Sequence, residues 1–268
     1  MGLKNMSNEE RVKITLEGAA GVSAVGLRPK DEDFIIGQKI VTNSGNSLEI
    51  AVVLDGMGGG VAGERASESA GSAFIEACSV MSEDMHTSTS FEERANSWDL
   101  CIIAANRAVE SVAKNEGGRS GTTFTGIILM RSDEGKIMWS DLVHVGDTRA
   151  YLEKDGQVSL LSEDHSMTGE MVRAGYIELH QIEETHGRNV LTMSLGGPDE
   201  LKPMIKEIEL TSEDNVILCC DGVWGPLHTI EGLWIPEGDD NLEKCQKMVD
   251  EALERGSTDN CSILIWSL

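Results

Sequence analysis

Between Thr122 and Leu161 four strand-like runs follow one another with nothing longer than a tight turn between them. They are Thr122 to Met130, Lys136 to Val145, Ala150 to Glu153 and Gln157 to Leu161. Asp133-Glu-Gly135 and Lys154-Asp-Gly156 supply residues that tolerate the backbone of a tight turn. Parallel strands need a crossover of a dozen or more residues, so links this short force antiparallel pairing. The segment therefore reads as a meander and excludes a βαβ rhythm.

The rest of the chain must cover that meander. Phe34 to Ile36 and Leu48 to Leu54 are earlier strand candidates, the second ending abruptly in Asp55-Gly56-Met57-Gly58-Gly59-Gly60. A helix is predicted from about Ala62 to Val80, a polar loop over Ser82 to Ser90, and a second helix from Phe91 to Lys114, closed by Gly117-Gly118. Ser166 to Ala174 reads as a short helix stopped by Gly175. Two strands, Met204 to Leu210 and Asn215 to Cys220, precede Asp221-Gly222; a helix over Asn241 to Arg255 leads to a closing strand, Cys261 to Trp266. Mostly antiparallel sheets covered by helices give an α/β (α+β) fold. No repeat, low-complexity linker or shift of composition divides it, so residues 1–268 are expected to form one domain.

Charge excludes several classes of partner. The formal net charge is -24, a surface that repels nucleic acid and anionic membranes. No stretch approaches the roughly 18 apolar residues of a membrane span. Met1 to Arg11 is polar, unlike a secretory leader, and Met6 breaks the myristoylation pattern that begins at Gly2. The six cysteines form neither a CxxC pair nor a zinc spacing with histidine, and several sit inside apolar runs. Buried free thiols and a cytoplasmic location are the expectation.

Three aspartates share one context. Asp55 ends the strand through Leu54, Asp221 follows Cys220, and Asp259 precedes Asn260 and the last strand. A rigid strand end can aim a carboxylate at a partner. Asp-Gly is also an ordinary turn, and spacing alone does not bring the three together. The histidines lack paired ligand spacing, so any metal here would be a hard, oxygen-seeking cation such as Mg²⁺ or Mn²⁺.

In order along the chain, eight short elements resemble those of the metal-dependent type 2C (PPM) Ser/Thr protein phosphatases, of the bacterial single-domain kind. They are Gly26-Leu-Arg28-Pro-Lys-Asp-Glu32-Asp33, Val53-Leu-Asp55-Gly56-Met57-Gly58-Gly59, Ser120-Gly-Thr-Thr123, Val145-Gly-Asp147-Thr-Arg149-Ala-Tyr151, Leu161-Ser-Glu-Asp-His165-Ser, Leu191-Thr with Leu195-Gly196, Cys220-Asp221-Gly-Val-Trp224 and Thr258-Asp259-Asn260. One such element would be weak; eight in register are specific.

The resemblance implies a four-layer αββα sandwich of two mostly antiparallel sheets, with two Mn²⁺ or Mg²⁺ ions at one end. A water between the ions attacks the phosphorus of a phosphoserine or phosphothreonine in line. By the same resemblance Asp55 bridges the metals, Gly56 offers its carbonyl, and Asp221 and Asp259 hold one ion from the far side. Glu32 and Asp33 lie near the other, largely through water. Asp147 with Asp221 matches a third metal found in some bacterial members, or is a strand-end turn. Arg28 matches the phosphate-binding arginine, whose guanidinium can grip two phosphate oxygens. His165 and Arg149 read as structural, and a flap is expected over Ser166 to Arg188. The expected partners are phosphorylated proteins and an opposing Ser/Thr kinase, with the chain acting as a monomer.

One departure concerns the proton donor. Eukaryotic members often carry histidine after the Asp-Gly, where this chain has Met57, which cannot donate; a metal-bound water is the remaining candidate. The glycine run 58–60 lacks the Lys-Ser/Thr of a P-loop and reads as close packing. Two rivals stay open from sequence. One is a pseudophosphatase that binds without turnover, although Arg28, Asp55, Asp221 and Asp259 are all present. The other is a hydrolase of small phosphoesters or phosphotyrosine.

Overall fold

A computed structural model of the chain describes residues 11–58, 61–116, 118–197 and 200–268. The readings made on Met1 to Glu10, on Gly59 and Gly60 and on Gly117 lie outside these residues. Strands β1 (Val12–Ile14), β2 (Ala19–Ala24), β3 (Phe34–Val41), β4 (Ser47–Leu54) and β5 (Gly56–Met57) come first, then helices α1 (Val61–Met81) and α2 (Phe91–Glu116). The meander follows as β6 (Gly121–Thr122), β7 (Phe124–Arg131), β8 (Ile137–Val145), β9 (Arg149–Lys154) and β10 (Gln157–Leu160). Helix α3 (Met167–Arg173), a 3-10 turn (Leu179–Glu184), β11 (Met204–Glu207), β12 (Asn215–Cys219) and α4 (Asp221–Leu227) lead to the short pair β13 (His228–Thr229) and β14 (Gly232–Leu233). Helix α5 (Asn241–Glu254) and β15 (Cys261–Ser267) close the chain.

Two sheets form, in the orders β1-β3-β4-β7-β8-β11 and β10-β9-β12-β15-β2. All their neighbours are antiparallel except β1 and β3. The single meander is corrected to two hairpins, β7 with β8 in the first sheet and β9 with β10 in the second, because the short turn after β8 crosses between the sheets instead of pairing β8 with β9.

Alternation along the strands builds the layers. Every residue of β4 is buried, because both of its faces are covered. Leu48, Ile50, Val52 and Leu54 face Phe74, Trp98 and Ile102 of α1 and α2. Ala51 and Val53 point the other way, into an apolar layer shared with Leu218, Leu264 and Trp266 of the second sheet. On that sheet's outer side Ile217, Ile263 and Ile265 pack on Met248 and Val249 of α5. The result is helices, sheet, sheet, helices, as the resemblance implied.

Register then gathers the site. Phe34 pairs with Leu54, so Asp33 and Asp55 leave the same end of one ladder. Phe124 pairs with Val145, which sets Thr123 and the turn before β9 at that end too. In the second sheet Cys219 pairs with Arg149 and Ile263, and Cys261 with Ala24. Asp147, Asp221, Asp259 and the loop after β2 therefore emerge together.

The main surprise is α4. Asp221-Gly222 reads as a strand-end turn, yet Asp221 opens a helix that also contains Gly225 and Pro226. Tertiary packing overrides its poor helix propensity. A Cβ at Gly222 would sit 2.0 Å from the Asn260 carbonyl oxygen, so only glycine lets the helix start this close to β15.

Candidate metal centre

Asp55 is fixed through its backbone. Its N–H donates to Thr123 Oγ1 at 2.9 Å, and its carbonyl accepts from Thr122 Oγ1 and from the Thr123 N–H, each at 2.9 Å. Those three bonds leave the carboxylate free to face the pocket. Gly56 is wedged beside it, donating to the Glu32 carbonyl at 3.2 Å, with no room for a Cβ between the carbonyl oxygens of Glu32 and Gly63.

The other acidic groups converge from separate elements. The Asp33 side chain is fully buried, and neither of its oxygens has a hydrogen-bond partner. Glu32 Oε1 and Asp221 Oδ1 are likewise buried atoms without a partner. Asp147 is buried, and its carbonyl accepts from Trp224 Nε1 at 2.9 Å, tying its turn to α4. Asp259 Oδ2 accepts from Arg28 Nη2 at 2.6 Å, while its Oδ1 accepts from the Asn260 N–H at 2.8 Å.

The charges of these groups act on one another. Burial pushes the Asp55 carboxyl well above the usual range, and the charges of Asp33, Asp221, Asp147 and Asp259 push it further. Asp33 is raised by burial and then by Asp31, and Asp147 by burial and then by Asp221. Asp221 rises to about 6 through burial and then the charge of Asp259. Burial pulls the Arg28 guanidinium down, but the hydrogen bond to Asp259 and the charges of Asp259, Asp55 and Asp221 outweigh it. Arg28, Glu32, Asp33, Asp55, Asp147, Asp221 and Asp259 are thus near enough, at one end of the sheets, for their charges to act on one another.

Like charges with desolvated, unpartnered oxygens fit hard divalent cations. Among the described residues no three Asp, Glu, His or Cys side chains converge tightly enough to ligate an ion unaided. A Mg²⁺-like ion asks for less: one or two carboxylates, with water and carbonyl oxygens completing its shell. The donor set suits that kind of site and offers no histidine for zinc.

Several neighbours gained roles that spacing could not reveal. Thr122 and Thr123 lock Asp55, and Asn260 binds the loop that carries Arg28. Arg188, paired with Glu183, reaches Asp221 with its charge. His165 accepts from the Gly146 N–H at 3.1 Å and stacks on His144. Arg149 is buried in a double contact with Asp164 and lies over the Trp224 ring. Both therefore hold the fold in place. Met57 sits in β5 opposite Gly121.

Comparison with known proteins agrees with this fold. The profile of the family described as Protein phosphatase 2C matches residues 31–257. Protein phosphatase PhpP of Streptococcus pneumoniae is 28% identical over 244 residues, covering 90% of this chain and 93% of PhpP. Serine/threonine protein phosphatase PstP of Mycobacterium tuberculosis is 26% identical over 260 residues, covering 95% of this chain but 45% of PstP. Among solved structures, the catalytic domain of PstP in complex with two manganese ions superposes with a TM-score of 0.66 at 25% identity, covering 92% of this chain and 96% of that one. The serine/threonine phosphatase of S. agalactiae gives 0.74 at 22% identity, over 93% and 99%.

Proposed function

The chain belongs to the protein phosphatase 2C family, and from that premise we propose that it hydrolyses phosphoserine and phosphothreonine in proteins with two Mn²⁺ or Mg²⁺ ions in its acidic pocket. The observation that carries the reading is the group Asp33, Asp55, Asp147, Asp221 and Asp259, crowded at one sheet end with partnerless oxygens at Asp33 and Asp221. Asp55 would serve both ions and Gly56 would offer its carbonyl, Asp221 and Asp259 would hold one ion, and Glu32 and Asp33 would lie near the other, largely through water. Asp147 beside Asp221 would admit a third. Bound there, the ions would activate a water and neutralise charge on the phosphoryl group.

The chain's own residues do the remaining work. Arg28 stands at the mouth, half exposed, with donors to spare for phosphate oxygens beyond its bond to Asp259. Thr122 and Thr123 keep Asp55 from turning as charge develops. Met57 has no proton to give, so the proton for the leaving alkoxide must come from a donor other than this side chain. Phosphorylated proteins as substrates imply a Ser/Thr kinase that made them. Cytoplasmic action, as a monomeric single domain spanning 1–268, belongs to the same reading; it is supported by six free thiols, by an apolar layer common to both sheets, and by the lack among the described residues of a helix long and apolar enough to cross a membrane.

The test is hydrolysis of a phosphothreonine peptide and of an aryl phosphate with Mn²⁺, with EDTA, and by Asp221→Asn. Turnover should need Mn²⁺, stop in EDTA and fall at least about a hundredfold in the variant. Full activity in EDTA would contradict the reading, and a folded, Mn²⁺-binding chain that turns over no phosphoester would make it a pseudophosphatase.

A further inference from the structure

Asn260 touches three of the segments that bring charged groups together, the loop after β2, the turn before β15 and the start of α4. Its side-chain carbonyl accepts from the Glu32 N–H at 2.9 Å. Its amide donates to the carbonyls of Val25 and Lys30, each at 2.9 Å. Those three bonds span the loop between β2 and β3, which carries Arg28 and leads into Glu32 and Asp33. The Asn260 backbone N–H donates to Asp259 Oδ1 at 2.8 Å. Its carbonyl lies where Gly222 has no room for a Cβ, directly against the start of α4 and Asp221. The side chain is buried and fully used, with both amide hydrogens donated and its oxygen accepting.

Asp31 to Asp33 are also tied down, by Ser23 on Asp31 and by Gly56 and Ser67 on the Glu32 carbonyl, but the stretch that carries Arg28 has few other anchors. Arg28 N–H closes a turn on Val25 at 3.2 Å, and Lys30 reaches Glu64 at 3.7 Å across an exposed surface. Gly26 takes a left-handed φ of 58° with no space for a side chain above the Asp259 carbonyl, so the loop rides on the turn that precedes β15. A guanidinium must sit within a few tenths of an ångström to grip a phosphate through two hydrogen bonds. Arg28 stands on a loop, the least precise kind of support, unless something within the loop fixes it.

We infer that Asn260 is a positioning residue that holds the Arg28 loop in register with Asp221 and Asp259, so that the phosphate-binding guanidinium stands at one spacing from the carboxylates that would hold the cations. It acts through Arg28 and touches neither substrate nor the reacting atoms. The inference rests on the proposed function for the identity of the ligand, phosphate.

The test uses Asn260→Asp, which keeps shape and the acceptor for Glu32 but sets a carboxylate oxygen against the carbonyls of Val25 and Lys30. Binding of inorganic phosphate to the Mn²⁺-loaded protein is measured by titration calorimetry in wild type, Asn260→Asp, Arg28→Ala and the double variant, with Mn²⁺ affinity and Tm recorded for each. Asn260→Asp should weaken phosphate about tenfold, and in the Arg28→Ala background it should weaken it less than about twofold further. Asn260→Ser, which keeps the volume small and adds no charge, should fall between wild type and Asn260→Asp. Additive losses in the double variant would overturn the inference, because Asn260 would then act independently of Arg28. Unchanged phosphate affinity in folded Asn260→Asp and Asn260→Ser would overturn it as well. Phosphate binding is read apart from turnover, so a chain that binds phosphate as expected yet hydrolyses nothing would leave Asn260 in its role and remove only the proposed activity.

Discussion

The chain buries carboxylates in two ways. At Asp141 and Asp164 each is answered by an arginine of the same chain. Arg94 grips both oxygens of Asp141 at 2.8 and 3.0 Å, and Trp98 Nε1 adds a third bond at 2.8 Å. Arg149 does the same for Asp164 at 3.0 and 2.7 Å. In the acidic pocket five aspartates meet, and Arg28 on the rim binds one of them. A fold that matches its buried charges elsewhere leaves these unmatched. Buried ions are costly unless paired, so the pocket is built for positive charge from outside the chain.

The comparison can be broken from either side, and the largest effects come first. Asp55→Asn should lower kcat/KM by about 10³-fold, roughly 4 kcal/mol, while the metal-free protein remains at least as stable as wild type by urea unfolding. Asp164→Asn should do the reverse. It strands the Arg149 guanidinium in the core and should cost about 3–5 kcal/mol of stability in the same assay. If both replacements destabilised equally, the two regions would not differ in kind.

Titration sharpens the contrast. The Asp221 carboxyl lies at about 6 in the folded chain against 3.8 when unperturbed. Between those values the folded state holds more protons than the unfolded one, so stability is lost as pH rises through about 6 and is retained below about 4. Metal-free Asp221→Asn should therefore exceed wild type by about 1–3 kcal/mol near pH 8, and the gap should close as pH falls toward 4. His144, at about 3 through burial, and His228, at about 4 for the same first cause, push the other way in both proteins and cancel in the difference. An advantage that grew toward low pH would contradict the assignment. The smallest effect belongs to Met57→His, which should move the pH-rate profile while KM stays within about twofold.

Much of the fold is legible in the sequence, while the arginine pairing of Asp141 and Asp164 is not. Strands β4, β7 and β8 announce themselves because both faces are buried and their runs are nearly unbroken. Strand β2 was missed: Ala19-Ala-Gly-Val-Ser-Ala24 offers little apolar bulk, and it pairs with β15 across more than 230 residues of sequence. Helix α4 was missed because glycine and proline argue for a turn, and its stability comes from Trp224 packed against Arg149. The acidic residues were found through their resemblance to a family. Their convergence is a matter of register, as is the contact between Arg28 and Asp259, 231 positions apart. Asn260 stands in one of the resembling elements, but the sequence does not show which backbone groups its side chain reaches.

The central claim is that the pocket takes its missing positive charge from divalent cations. Calorimetric titration of Mn²⁺ into metal-stripped protein, wild type beside Asp55→Asn, tests it most directly. Wild type should bind at least two ions per chain, and Asp55→Asn should lose both of the tight sites. No uptake by wild type, or the same stoichiometry and affinity in Asp55→Asn, would contradict it.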